Sequence, residues 1–159
     1  MSQRNRSIVT QPAYYFVTAS TLQHSSFFQT DAAKEIVEER LLRTAHELSV
    51  SLIAYVIMST HIHFVGYFPG GGAQLSKLML SVKGRIRKDL VGDARMWDER
   101  FDGKLIKSEK MLVEDIEYIH NNPVKAGLVE RRQDYRYSSA AIWDGIRKDD
   151  RVTMRLDLE

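Results

Sequence analysis

The stretch "LIAYVIMSTHIHFVGYF" (residues 52–68) contains two segments with different hydrophobic patterns, separated only by Ser59 and Thr60. Residues 52–58 form a continuous apolar run of strand length, which is typical of a strand covered on both sides. Residues 61–68 alternate along the chain, as a strand with two different faces does. The pattern therefore predicts two neighbouring strands, the second antiparallel to the first.

Two histidines stand at the start of the second strand. Because side chains alternate across a strand, His61 and His63 share one face while Ile62 and Phe64 share the other. We expect the apolar set to pack on helices and the imidazoles to project from the uncovered face, with Cα atoms roughly 6.5 Å apart. Their nitrogens could then converge on one cation. Ordinary strand histidines are the alternative, since a three-residue pattern recurs by chance.

The rest of the chain supplies one more strand before this pair and one after it, together with three helices. Strands are predicted at residues 13–20 and 100–106, and helices at residues 31–48, after the glycines of residues 69–74, and at residues 109–122. The order strand, helix, strand, strand, helix, strand, helix predicts an α+β fold with a ferredoxin-like split β-α-β layer. We expect an antiparallel sheet with helices on one face and the active site on the other.

Composition limits the class of protein. The 159 residues are 43% hydrophobic, which is enough for one core, and they include no cysteine. Disulfides, thiolate metal sites and cysteine nucleophiles are therefore excluded. No apolar run is long enough to span a membrane, and residues 1–11 are polar rather than a charged and then apolar leader. We expect one soluble, cytoplasmic domain over residues 1–159, with any metal held by nitrogen and oxygen.

Charge is segregated although the formal net charge is only +2. Residues 83–88 hold four cations and no acid, whereas acids concentrate at residues 31–39 and 109–117. These cations are Lys83, Arg85, Arg87 and Lys88, and we expect them on the outer side of a helix. Such segregation fits a face that meets a polyanion. A solvated basic face of an amphipathic helix is the alternative.

A second informative stretch is "EDIEYIHNNPVKAGLV" (residues 114–129). Tyr118 and Asn122 are four residues apart, so on a helix they share a face and can act on one site together. Pro123 disfavours helical geometry at Asn122, and we expect the helix to end about there. The alternative is a half-buried amphipathic tyrosine followed by an end-of-helix asparagine.

Four phrases together resemble a known family: "MSTHIHF", "SVKGRIRK", "MWDERFDGKLI" and, above all, "YIHNNPVKAGLVERRQDYRYSSA". They are similar to the single-tyrosine HUH transposases, the insertion-sequence-200-like family, and the last phrase is most similar to the REP-associated tyrosine transposases. The resemblance runs from about residue 14 to residue 143. One departure is Ser59-Thr60, where the family usually has Pro-Asn; it affects a turn rather than the histidines.

The resemblance implies a DNA-processing enzyme. His61 and His63 would be metal ligands, Asn122 a third ligand through its side-chain oxygen, and Tyr118 the nucleophile. The implied cofactor is Mg²⁺ or Mn²⁺, and the implied reaction is cleavage and rejoining of single-stranded, hairpin-bearing DNA through a 5′-phosphotyrosine intermediate. The alternatives are a domesticated relative that binds such hairpins without cutting them, and a metal-dependent hydrolase in which the tyrosine is incidental.

Contacts with DNA are expected from two regions. The family makes Lys83, Arg85, Arg87 and Lys88 expected phosphate contacts. Residues 124–159 are expected to form a C-terminal tail that packs on the domain or on DNA, with Arg131 and Arg132 among its DNA contacts. Arginines mixed with aromatics suit stacking and phosphate binding, although a tail that docks on its own domain has the same composition. The tail favours a monomer over a homodimer that exchanges the tyrosine helix.

Overall fold

A four-stranded antiparallel sheet forms the centre of the fold. The computed structural model describes residues 10–156, so that both ends of the predicted domain lie outside the described residues. The strands are β1 (Ala13–Ser20), β2 (Ser51–Ile57), β3 (His61–Phe68) and β4 (Asp102–Ile106). The helices are α1 (Asp31–Glu47), α2 (Gly71–Val91), α3 (Glu109–Lys125) and α4 (Ala140–Trp143), with single 3₁₀ turns at Leu22–His24 and Arg132–Asp134. None of the helices in this part of the chain is long and apolar enough to cross a membrane.

The topology confirms the predicted α+β fold. The chain runs β1-α1-β2-β3-α2-β4-α3, and the strands lie in the order β2-β3-β1-β4 with every neighbouring pair antiparallel. Two β-α-β units whose strands interleave in this way form the ferredoxin-like layer. The central strands β3 and β1 are therefore surrounded on both sides, and they fix the positions of the side chains that matter below.

The two faces of the sheet carry different side chains, because side chains alternate along each strand. On one face Phe64 is fully buried and pairs across the strands with Tyr55, whose hydroxyl donates to Glu38 of α1 at 2.8 Å. Helices α1 and α2 cover this face and pack on each other. The alternation then places His61 and His63 on the opposite face, as predicted.

Helix α1 begins after a threonine cap. Thr30 has extended backbone, and its Oγ1 accepts a hydrogen bond from the N–H of Ala33 at 3.1 Å. This bond satisfies one of the N–H groups that have no partner in the first turn of a helix. The apolar positions Val37, Leu41 and Ala45 recur at helical spacing and are all buried, so the helix docks on the sheet along this side.

Helix α3 lies across the face that carries the histidines. Ser108 caps it, since its Oγ accepts from the N–H of Met111 at 3.2 Å. The apolar stripe of Leu112, Ile116 and Ile119 is buried, as its helical spacing predicts. One face of the sheet therefore holds α1 and α2, and α3 shares the other face with the candidate site.

The predicted end of this last helix at Asn122 is wrong. The helix continues through Pro123 to Lys125, and the carbonyl of Asn122 still accepts a helical hydrogen bond from Ala126 at 2.9 Å. Pro123 is buried, so the packing of its ring outweighs the local preference against helix. The helix ends instead at Lys125, and Gly127 takes a φ of 76° in the cap that follows, where the N–H groups of Gly127 and Leu128 donate to carbonyls of the last turn.

The chain after α3 covers the outer edge of β2. The N–H of Ile57 donates to the carbonyl of Tyr137 at 2.8 Å, and the N–H of Thr153 donates to the carbonyl of Leu52 at 2.8 Å. The hydroxyl of Tyr135 donates to the carbonyl of Ile57 at 2.7 Å. Both tyrosines are buried. In the described part of the chain, much of the predicted tail therefore packs on its own domain.

Candidate active site

Two imidazoles lie side by side at the beginning of β3. The ring centroids of His61 and His63 are 4.6 Å apart, and the rings are steeply inclined to each other. His63 is 7% exposed, whereas His61 is half-buried. Because β3 is bonded to strands on both sides, the backbone that carries this pair is rigid.

Each imidazole is oriented by a threonine hydroxyl. Thr18 Oγ1 lies 2.8 Å from His63 Nδ1, and Thr60 Oγ1 lies 3.0 Å from His61 Nδ1. When Nδ1 carries the proton and donates it to the hydroxyl, the lone pair of Nε2 is left for a ligand. This is the way in which metal-binding histidines are usually fixed by their neighbours.

Both rings are held in the neutral form. Burial, and after it the neighbouring His61, lowers the pKa of His63 to about 3. Burial lowers the pKa of His61 as well, with His24 acting in the same direction. A neutral imidazole is the form that binds a cation.

Tyr118 reaches this pair from α3. Its ring centroid lies 5.7 Å from that of His63 and 5.9 Å from that of Phe16, and Phe16 in turn lies 5.5 Å from His63. The three rings thus form one cluster on the sheet. The tyrosine is 48% exposed, so a macromolecular substrate can approach it from solvent.

Asn122 is the remaining residue of the predicted site. It lies one helical turn beyond Tyr118 on α3 and is half-buried. Within residues 10–156 there is no cluster of three or more His, Cys, Asp or Glu side chains that could hold a metal. Two neutral imidazoles and an amide oxygen nevertheless fit a divalent ion that keeps open positions for water and substrate.

The sequence interpretation missed a charged pair beside the ring cluster. Lys104 Nζ lies 2.9 Å from Asp115 Oδ1 and 5.2 Å from the centroid of the Phe16 ring. Asp115 is buried, and its Oδ2 has no hydrogen-bond partner in the described part of the chain. Lys104 faces Phe16 across β1 and β4, so the pair brings a positive charge to the edge of the site.

The four cations of α2 do not share one face. Arg85 points towards α1, where it bonds Thr44 Oγ1 at 3.0 Å and Glu47 at 2.8 Å. Lys83 and Arg87 lie on another side of the helix, and Lys88 is exposed. The expected basic outer side of α2 is therefore divided between different sides of the helix. Because α2 covers the sheet face opposite the imidazoles, these cations are not part of the imidazole face.

The two arginines of the tail also differ. Arg131 is exposed and pairs with Asp134. Arg132 donates to Glu117 of α3 at 2.9 Å and to Asp144 at 2.8 Å, an arrangement we call the Arg132 bridge (Arg132, Glu117 and Asp144). The bridge ties the tail to the helix that carries the tyrosine.

A buried histidine on α3 strengthens this attachment. Nε2 of His120 lies 2.8 Å from Ser139 Oγ in the tail, and its ring packs near Trp143. Its Nδ1 is buried without a partner in the described residues. Burial, and after it Arg132, lowers the pKa of His120 to about 4, so the ring is neutral at pH 7. It packs between α3 and the tail, away from the imidazole pair.

Two curated proteins are similar to this chain in sequence. No protein-family model matches the chain. A Haemophilus influenzae protein named as a REP-associated tyrosine transposase is 26% identical over 143 residues, covering 82% of this chain and 81% of the relative. The Escherichia coli K12 REP-associated tyrosine transposase is 22% identical over 139 residues, covering 87% and 82%.

A solved structure is similar to this chain in fold. A REP-associated tyrosine transposase, whose structure was solved bound to a REP hairpin, superposes with a TM-score of 0.74 at 18% identity, covering 95% of this chain and 93% of that one. At this identity the superposition supports the fold alone. The sequence relatives, together with the resemblance of the tyrosine helix and the following segment, make the chain similar to the REP-associated tyrosine transposases.

Proposed function

We propose that this protein is a metal-dependent strand transferase that cuts and rejoins single-stranded, hairpin-bearing DNA through a 5′-phosphotyrosine link on Tyr118. The observation that carries the proposal is the 5.7 Å separation between the rings of Tyr118 and His63, which come from elements far apart in sequence. Two neutral, oriented imidazoles next to an accessible phenol suit attack on a phosphodiester. The family relatives, one of which was solved bound to a REP hairpin, support DNA as the partner.

The chemistry at Tyr118 is an in-line displacement. Its hydroxyl oxygen bonds to phosphorus as the bond from phosphorus to the 3′ oxygen breaks. The proton that the phenol loses is gained by the departing 3′ oxygen, so that the released strand ends in a 3′-OH. The bond energy is kept in the phosphotyrosine, so the 3′-OH of another strand can reverse the step without ATP.

His61, His63 and Asn122 would hold the divalent ion, which we propose to be Mg²⁺ or Mn²⁺. When bound, the ion would offset the negative charge that develops on the phosphate oxygens. The threonines at Nδ1 hold both rings in place, so the protein would not have to reorganise when the ion arrives.

Phosphate contacts outside the site are proposed for the cations that face solvent. Lys88 and Arg131 are exposed, and Arg87 is partly exposed. Arg85, Lys83 and Arg132 can contribute to the local potential from their observed positions. Such contacts give an affinity that falls with salt and is independent of sequence.

We also propose a cytoplasmic monomer in which the tyrosine acts with the histidines of its own chain. The packing of α3 on the sheet of the same chain supports this arrangement, since no exchange of helices is needed to bring the rings together. Gel filtration with light scattering tests it, and a stable dimer in dilute solution would contradict it.

The direct test uses a hairpin oligonucleotide with unpaired flanks, labelled on either side of the expected cut, in Mn²⁺. We expect a protein-DNA adduct that survives denaturing electrophoresis, a released strand with a 3′-OH, and no reaction in chelator. A retarded band in native gels with no adduct would instead indicate a hairpin-binding protein without catalysis. Cleavage without an adduct would indicate a hydrolase.

A further inference from the structure

A groove separates α2 from the segment that leads into β4. It encloses about 310 Å³ and is open to solvent. We call it the α2 groove. The residues used below are Met79, Leu80, Lys83, Arg87, Trp97 and Phe101. It lies on another part of the surface from the imidazole pair.

The inner part of the groove is lined by apolar side chains. Met79, Trp97 and Phe101 form it and are buried, and Trp97 donates its ring N–H to the carbonyl of Lys83 at 3.0 Å, which fixes the indole. Leu80 stands beside them with 80% of its surface exposed. A fixed aromatic ring and an exposed leucine around an open slot suit a planar ligand such as a nucleobase.

The two cationic side chains of the groove, Lys83 and Arg87, form no close ion pair in the described part of the chain. Lys83 Nζ donates to the carbonyl of Asp98 at 3.1 Å and lies 5.7 Å from the centroid of the Trp97 ring. Arg87 donates to the carbonyl of Asp93 at 3.2 Å. Arg85 on the same helix is instead bonded to a carboxylate. Glu99 is the single acid among the lining residues, so the groove favours an anion.

The backbone connects the groove to the imidazole pair. Trp97 forms an isolated antiparallel bridge with Thr21, and the N–H of Asp98 donates to the carbonyl of Ser20 at 3.0 Å. Ser20 is the cross-strand partner of His61. The backbone of Trp97, which lines the groove, therefore lies about two strand spacings, roughly 10 Å, from the backbone of His61.

We propose that the α2 groove binds one unpaired nucleotide of the DNA strand, with its base against Trp97 and Leu80 and its phosphate at Lys83 and Arg87. The inference rests on the proposed function, because it names the part of the DNA that this second site takes. An unpaired nucleotide held here sets which phosphodiester of the neighbouring strand lies at Tyr118. The groove thus fixes the distance between hairpin and cut.

Gly84 allows the groove to be filled without disturbing the core. A Cβ added at this position meets no atom within 4 Å, and glycine is a poor helix former. Both Gly84→Ala and Gly84→Leu should therefore keep or raise the melting temperature. Alanine leaves the groove open, whereas leucine extends into it, so the two variants differ mainly in the space left for a ligand.

The experiment measures the affinity of the full-length protein for a hairpin oligonucleotide with unpaired flanks, by fluorescence anisotropy in chelator so that no cut occurs. We expect Gly84→Leu to weaken binding about 10-fold, the size of one lost stacking contact, while Gly84→Ala binds as the wild type does. The loss should vanish with an oligonucleotide that has the hairpin alone. Circular dichroism confirms that each variant is folded.

A second matched pair tests the charge. Arg87→Ala and Lys88→Ala each remove one cation from neighbouring positions of α2, but Arg87 lines the groove and Lys88 does not. We expect a larger loss of affinity for Arg87→Ala, again only with the unpaired flank. Equal losses for the two, or unchanged binding by folded Gly84→Leu, would overturn the proposal and leave a general electrostatic surface.

The outcome is separable from that of the proposed function. If the wild type forms no phosphotyrosine adduct but shows the flank-dependent loss in Gly84→Leu, the chemistry is wrong and the groove stands. If the adduct forms and Gly84→Leu neither weakens binding nor shifts the cut, the groove is wrong and the chemistry stands.

Discussion

The two halves of the candidate site are built differently. The imidazole half lies on β3 inside a bonded sheet, with each ring fixed by a threonine. The tyrosine half lies on α3, where the phenol is half exposed. The helix is attached through its apolar stripe, the Arg132 bridge and the contact between His120 and Ser139.

This difference fits our proposal that the imidazole half binds the metal and the tyrosine half carries out the covalent step. A metal site gains from ligands that are already in place, whereas a nucleophile that becomes bonded to DNA needs access and room to move with its substrate. Changes in the sheet half should therefore act on metal affinity, and changes in the helix half on the covalent step.

The largest expected effect is in the helix half. Tyr118→Phe removes the nucleophilic oxygen while keeping the ring beside Phe16 and His63. We expect adduct formation to fall by about 1,000-fold or more, with hairpin affinity and metal affinity within about 2-fold of wild type. Quantitative gel analysis of the adduct measures it. Persistent adduct in Tyr118→Phe would show that another residue attacks the DNA.

The next largest expected effect is in the imidazole half, where a change should lower metal affinity. Thr18→Val keeps the shape of the side chain but removes the hydroxyl at His63 Nδ1. Loss of such an orienting group typically costs about 10- to 100-fold in metal affinity, and we expect that loss for Mn²⁺ by calorimetry. Ser20→Ala, two residues along the same strand and face, is the matched control and should bind Mn²⁺ as the wild type does. Equal affinity in Thr18→Val would remove the threonine from the metal site.

Acid should destabilise the metal-free protein through one buried histidine in each half. His63, with a pKa of about 3, and His120, with a pKa of about 4, are neutral when folded but gain protons below about pH 6.5 when unfolded. The unfolded state therefore binds more protons, and stability falls as the pH falls from about 6.5 to 4, by up to about 1.4 kcal/mol per pH unit for each ring.

Urea unfolding in chelator at several pH values measures this slope. Because His120 faces Arg132, Glu117 and Asp144, we expect His120→Asn to flatten it while leaving Mn²⁺ affinity unchanged. His63→Asn should flatten the slope and also reduce Mn²⁺ affinity. His46→Asn, at an exposed position of α1, is the control. A slope identical in all variants would mean that carboxylates alone determine the acid response.

The smallest effect concerns the attachment of the helix half. Arg132→Ala breaks the Arg132 bridge, in which the arginine side chain is 26% exposed and bonds two carboxylates. We expect about 1 kcal/mol of lost unfolding free energy, near the upper end for exposed pairs because the pairs form a network. Adduct formation should slow with no change in Mn²⁺ affinity.

Arg131→Ala is the matched control for this change. Its side chain is 69% exposed and bonds one nearby acid, so its loss should cost less than about 0.5 kcal/mol. If both arginines cost the same, or if Arg132→Ala reduces Mn²⁺ affinity, the division between the two halves is not as sharp as the contacts indicate.

The elements of the fold and the pairing of the histidines could be predicted because they depend on local periodicity. The threonine at His63 could not, since it depends on the register between strands 45 residues apart. The pair of Lys104 and Asp115 was missed because it depends on how α3 packs against β4. The end of α3 was mispredicted because a proline rule ignores the packing of the buried ring of Pro123.

The orientation of the basic residues on α2 could have been predicted from the sequence. At about 100° per residue, Lys83 and Arg87 lie on one side of a helix and Arg85 on the opposite side. The acid that Arg85 meets, Glu47, could be assigned only once α1 and α2 were known to pack together.

The covered edge of β2 has a consequence for the behaviour of the chain in concentrated solution. An unpaired strand edge is a template on which other molecules add strands, and here residues 137, 139 and 153 occupy the hydrogen-bonding groups of β2. At the other edge of the described sheet, β4 is five residues long and carries Lys104 in its middle. A version shortened after α3 would expose the longer edge, and we expect it to aggregate into fibrils rather than remain dispersed.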